Sequence, residues 1–81
     1  MTEVIQIDVL DEYKLRITFN DSEKKVVNIR PFLGKGFTKE LLEYDYFKQV
    51  EIEEGGGIAW PNGYDFCPNF LKELQGEELV A

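Results

Sequence analysis

The sequence predicts an α+β fold: a three-stranded antiparallel meander, a short helix, a second β-hairpin and a C-terminal helix. Three observations predict it. Residues 13–20 alternate apolar and polar side chains without interruption, as a half-buried strand does. The same parity runs through Ile5, Ile7 and Val9 before that segment and through Val27 and Ile29 after it. The second half then changes to short apolar runs punctuated by Gly-Gly-Gly, Trp-Pro-Asn-Gly and Cys-Pro, which are turn and helix-start signals.

Taken in order, the first two strands join through Leu10-Asp11-Glu12. Tyr13, Leu15, Ile17 and Phe19 face inward, and Lys14, Arg16 and Thr18 face outward. With Asp21-Ser22-Glu23 as a three-residue loop, Phe19 faces Lys25, Ile17 faces Val27 and Leu15 faces Ile29. A two-residue loop would set Leu15 against Asn28, so the three-residue register is preferred. Pro31 ends the third strand. The glycine-broken connection after it carries Lys35 between two glycines but lacks the spacing of a phosphate-binding loop. Thr38 reads as the N-cap of a short helix, with Glu40 in its first turn and Phe37 and Leu42 as its hydrophobic staple. Asp45 caps a further turn, and Tyr46 and Phe47 plug the open end of the sheet.

Residues 49–53 alternate again, with Val50 and Ile52 inward. The three glycines that follow turn the chain, and Ile58-Ala59-Trp60 returns with Ile58 and Trp60 on one face. Pro61, Asn62 and Gly63 suit successive positions of a β-turn that starts at Trp60. Pro68 is placed as the first residue of the last helix, where its missing N–H costs nothing. Phe70, Leu71 and Leu74 form the apolar stripe of that helix, and Gly76 stops it. Residues 1–76 are thus expected to form a single domain and residues 77–81 a frayed tail.

Composition narrows the function classes. A chain of 81 residues buries only about 60% of its unfolded surface, so its core is marginal and leans on its eleven aromatic rings. The single Cys cannot form an internal disulfide, which points to a reducing cytoplasm. No basic leader region precedes an apolar stretch, and no apolar run is long enough for a membrane span. The net charge of −7 lies wholly in residues 41–81, because residues 1–40 balance seven Lys and Arg against seven Asp and Glu. An acidic half repels phosphate, so nucleic-acid binding by this chain alone is not expected.

The chain has no His, one Ser and one Cys, which removes the usual nucleophile–base arrangements and most metal-ligand sets. No cofactor or metal is expected. Cys67 lies near a helix start, but without a base it reads as a small, partly buried side chain. Asp65, between Tyr64 and Phe66, is the most conspicuous carboxylate; its plainer role is to bond backbone N–H groups at the turn. Trp60 reads as core by parity, and with Tyr64 and Phe66 it alternatively forms an aromatic platform. Lys14, Arg16, Lys24 and Arg30 share the outward parity of the meander. They form the basic cluster of the sequence, either a solvated face or a docking surface for an acidic partner.

Three segments carry a family resemblance: Phe19-Asn-Asp-Ser, Phe47-Lys-Gln-Val50 and Trp60-Pro-Asn-Gly-Tyr-Asp-Phe-Cys-Pro68. Over about residues 3–75 the chain resembles the small bacterial family catalogued as domain of unknown function 2442, whose last motif is Trp-Pro-x-Gly-x-Asp-x-x-Pro. Ser22 departs from the pattern, where many relatives place Gly in the turn. The resemblance implies an α+β fold and an accessory or regulatory role. Some relatives carry an added helix-turn-helix domain, and some lie beside small toxin-like proteins. The 81 residues leave no room for a helix-turn-helix, so DNA binding is not carried over. The expected function is a non-catalytic interaction or regulatory module with a protein partner, such as a neighbouring toxin-like protein. The alternative is a small-ligand binder or carboxylate enzyme centred on Asp65 and Trp60. Homodimerisation through an exposed sheet edge is a third expectation.

Overall fold

The computed structural model describes residues 1–34 and 36–74, apart from the side chain of Phe37. The predicted staple of Phe37, the stop at Gly76 and the tail 77–81 lie outside the described residues. Strands β1 (Val4–Leu10), β2 (Lys14–Phe19) and β3 (Lys24–Asn28) form an antiparallel meander in the order β1-β2-β3. The alternation sets its inner face: Leu15, Ile17, Phe19, Val27 and Ile29 are each at most 1% exposed. The fold is therefore α+β, as the alternation and turn signals predict.

Three details of the meander depart from expectation. The second loop is Asn20-Asp21-Ser22, not residues 21–23. Phe19 and Glu23 pair across it through an N–H···O bond of 2.8 Å, and the Asp21 carboxylate accepts the Glu23 N–H at 2.9 Å. Ser22 supplies the left-handed position with φ 76°. Leu15 therefore faces Val27, and Ile17 faces Lys25. The slip is by two residues, so every side chain keeps its face. Ile5 is 57% exposed rather than inward, because a register shift between Val4 and Gln6 gives Val4 the buried place. Tyr13 belongs to the turn before β2, with φ 61° after Glu12 at 62°. A bulky residue there is strained; its ring packs edge-on against Phe47 at 5.3 Å and its hydroxyl donates to the Leu42 carbonyl.

After β3 the chain makes two 3₁₀ segments, Arg30–Phe32 and Gly36–Leu42, and then α1 (Tyr44–Phe47). Thr38 is not an N-cap. It lies inside the second 3₁₀ segment and is 7% exposed, while Glu43 precedes α1 without a side-chain cap bond. Asp45 sits in the first turn of α1 and pairs with Lys48 at 3.4 Å. Tyr46 and Phe47 do close on the core, with Phe47 fully buried.

The second sheet has three strands where a hairpin was expected: β4 (Glu51–Ile52), β5 (Ile58–Ala59) and β6 (Asp65–Phe66), in that order. The Trp60–Gly63 turn closes the β5–β6 hairpin, with bonds of 2.9 Å from Gly63 N–H to the Trp60 carbonyl and from Trp60 N–H to the Tyr64 carbonyl. A strand of two residues is too short for alternation to announce. Ile52 is 42% exposed, not buried, because β4 is the outer strand of this sheet. Gly56 has φ +89° and lies so close to β1 that an added Cβ would stand 2.8 Å from the Glu3 Cα. Val4 N–H donates to the Gly56 carbonyl at 2.8 Å, so this glycine turn ties the second sheet to the first.

The last helix, α2 (Pro68–Glu73), starts at Pro68 as predicted, and the Cys67 sulfur accepts the Phe70 N–H at 3.4 Å as its N-cap. Leu71 is fully buried, whereas Phe70 is 39% exposed. Two lysines clamp α2 to the β2–β3 hairpin. Lys25 Nζ donates to the carbonyls of Leu71, Lys72 and Leu74 at the end of the helix. Lys72 contacts Asp21 at 2.7 Å and also Glu23, and its ammonium lies 4.4 Å from the centre of the Phe19 ring. Residues of both sheets, α1 and α2 share one buried cluster.

Two measurements check these arguments. Ala at Gly56 meets backbone as well as positive φ, whereas Ala at Gly63 (φ +94°) meets nothing within 4 Å. Gly63→Ala is expected to cost about 1–2 kcal/mol in urea unfolding, and Gly56→Ala clearly more. The Lys72 hydrogen bond, followed by the Glu23 backbone N–H, holds the Asp21 carboxyl below the ordinary aspartate range. That stabilisation is present at neutral pH and lost as pH falls through the lowered value. Asp21→Asn should therefore unfold earlier in urea at pH 7, and the difference should shrink as pH falls through the lowered value and vanish once Asp21 is protonated.

Candidate functional site

The Trp60–Pro68 segment is largely spent on architecture. Trp60 is 3% exposed, and its indole Nε1–H donates to the Phe47 carbonyl at 2.8 Å. Its ring meets Phe47 at 5.8 Å, Tyr64 at 5.9 Å and Phe66 at 6.0 Å. Tyr64 is half-buried; its hydroxyl donates to the Phe32 carbonyl at 3.3 Å, and burial pushes its phenol up. The aromatic platform is thus internal. Asn62 performs the local capping, since its side-chain oxygen accepts the Tyr64 N–H at 3.1 Å.

Asp65 points the other way, onto the outer face of the second sheet. Register places Asp65 beside Ala59 and Ala59 beside Glu51, a row that crosses all three strands. Glu53, the residue after β4, shares that face by parity. Desolvation raises the Glu53 carboxyl above the ordinary glutamate range, and the charge of Asp65 and a side-chain hydrogen bond to it raise it further. Asp65 therefore meets a second carboxylate, not the backbone of the turn.

Beside this row runs an open groove of about 400 Å³, lined by Lys48, Gln49, Val50, Glu51, Ile52, Glu53, Ala59, Trp60 and Pro61. Asp65 and Tyr64 do not line it. Trp60 and Pro61 contribute to it at the end where β5 enters its turn. In the sequence Ile52 reads as an inward residue, and neither Glu51 nor Glu53 stands out as a site residue. The signal for the two acids was the polar parity of residues 49–53, which was used only to place the apolar pair.

Lys14, Arg16 and Lys24 occupy the outer face of the first sheet, whereas Arg30, grouped with them by parity, lies beyond β3 at the start of the first 3₁₀ segment. Arg16 Nε is 3.3 Å from the Asp8 carboxylate, and Lys14 Nζ is 3.8 Å from Glu12. Register sets Arg16 between Asp8 and Val26, and Val26 is only 4% exposed on this outer face. The long basic stems thus cover apolar surface while their heads stay wet. Lys24 and Arg30 stand exposed at the rim. The two groups of candidates do not converge: the basic residues lie on or just beyond one sheet and the acidic residues on the other.

Among the described residues, no three His, Cys, Asp or Glu side chains gather in a way that could hold a metal. No helix among them is long and apolar enough to cross a membrane. Cys67 is an exposed free thiol rather than a partly buried one, because it stands at the N-cap of α2, where its sulfur accepts the Phe70 N–H.

These features define a small α+β domain: two three-stranded sheets on one aromatic core, with outer faces of opposite charge. The chain belongs to the family described as Protein of unknown function (DUF2442), which it matches over residues 4–75. No curated protein and no solved structure matches it.

Two substitutions test the site geometry. Trp60→Phe removes the indole donor and part of a buried ring, and is expected to cost about 2–4 kcal/mol in urea unfolding. Glu53 binds its proton more tightly in the folded chain, so its contribution to stability falls as pH rises through the raised value. Asp65→Asn removes the repulsion, so the variant should be more stable than the parent at neutral pH. The two should converge once Glu53 and Asp65 are protonated. Equal stability at pH 7 would show that solvent screens the pair.

Proposed function

We propose that this protein is a non-catalytic docking module that acts on a protein partner in the cytoplasm. One observation carries the reading. The side chains best suited to chemistry, Trp60, Tyr64 and Cys67, are bonded into the fold, while two solvent faces of opposite charge are left open. A ligand site centred on Asp65 and Trp60 gains little support, since the indole is buried and Asp65 lies outside the groove. A toxin-like protein encoded nearby, as beside some relatives of this family, is the partner this reading favours.

Affinity capture from the native host tests it, with three baits: the parent, Lys24→Glu/Arg30→Glu and Glu51→Lys/Glu53→Lys. A partner held by the parent should be lost from one charge-reversed bait and kept by the other. Identical recoveries on all three baits would sink the proposal, because neither face would then be doing the binding.

A further inference from the structure

We infer that the groove beside β4 receives a short, extended, cationic segment of the partner polypeptide, anchored by an apolar side chain against Ile52. This rests on the docking reading above and names the chemistry of what docks. Charge complementarity selects the occupant. Glu51 and Glu53 line the groove, and Asp65 stands one strand beyond Ala59 on the same face. The cation of the lining is Lys48, which sits 3.4 Å from the Asp45 carboxylate and so adds little free positive charge. Glu53 faces another carboxylate rather than a cation, and burial disfavours its charge as well. A Lys or Arg brought over this pair relieves the repulsion and gains charge-assisted hydrogen bonds. Glu51, Glu53 and Asp65 give this face a negative local field that favours cations.

Shape selects an extended segment. One wall is residues 48–53: Lys48 and Gln49 turn out of α1, and residues 50–53, with β4 at their centre, run about 13 Å in extended chain. Along it charged Glu51 and Glu53 alternate with apolar Val50 and Ile52, and Ile52 is 42% exposed. Ala59 keeps the floor low between Glu51 and Asp65. An extended peptide laid along the edge strand β4 sends alternate side chains to the two faces, so its basic residues meet Glu51 and Glu53 on the outer face while its apolar residues meet Ile52 on the other.

The test uses the full chain and a short labelled peptide of alternating Lys and Val, followed by fluorescence anisotropy and by amide chemical-shift mapping. A peptide of alternating Glu and Val and the small polyamine spermine serve as controls. Saturable binding with shifts confined to residues 48–53 and 59–61, weakened about tenfold or more by Glu51→Lys, supports the inference. Thermal unfolding of the variant shows that its fold is intact; Glu51 is exposed, so no loss of structure is expected. Shifts centred on the first sheet, equal binding by the variant, equal competition by spermine, or no binding would each overturn it. Any of these leaves the docking reading standing, since capture of a partner through either face is scored separately.

Discussion

The indole N–H of Trp60 donates to the carbonyl of Phe47 at the end of α1, inside the core at 2.8 Å. Around that bond the Trp60 ring lies on Phe47, and Phe47 lies edge-on against Tyr13 in the first turn. A single contact chain therefore joins the first hairpin, the helical connection and the second sheet. The second sheet depends on it. Its strands have two residues each, and so small a ladder is not stable alone in water. It forms because Ile58, Trp60 and Phe66 are buried against the first sheet, not because its backbone bonds suffice. The same rings hold Tyr13 in a left-handed conformation that its side chain would otherwise avoid.

The parts legible in the sequence were those with local causes. Six-residue β2 shows its pleat in alternation, and Pro61-Asn62-Gly63 and Pro68 act through backbone angles they largely set themselves. What could not be read depended on distant partners. Thr38 has good capping chemistry, yet burial inside a 3₁₀ segment decides its place. Ile52 alternates correctly but ends on an outer strand, and alternation says nothing of sheet order. Lys25 has inward parity and looks misplaced until the end of α2 arrives above it, 46 residues away in sequence at Leu71. For the site, Asp65 was conspicuous by composition, but its partner was not. The approach of Glu53 follows from a register across three strands, two of which carry no periodic signal.

The charges of this small domain divide by use. Lys25 and Lys72 are committed to holding α2, and Arg16 is drawn toward Asp8. Those contacts are local, and exposed pairs of this kind contribute little to stability. What remains on the open faces is separated by sheet, with Lys24 on one and Glu51, Glu53 and Asp65 on the other. A solvated domain has no need of that segregation, since interspersed charges keep it equally soluble.

The carboxylate pair sharpens this point. A chain of 81 residues has a marginal core, and it keeps Glu53 against Asp65 where one amide would remove the repulsion. Local rules that a fold breaks without structural gain tend to mark functional or strained positions. Nothing in the packing of the second sheet requires Asp65, because the core side of β6 is supplied by Phe66 and the turn is capped by Asn62. Among the described residues no cation faces the pair, which is the feature the proposed cationic partner would complete.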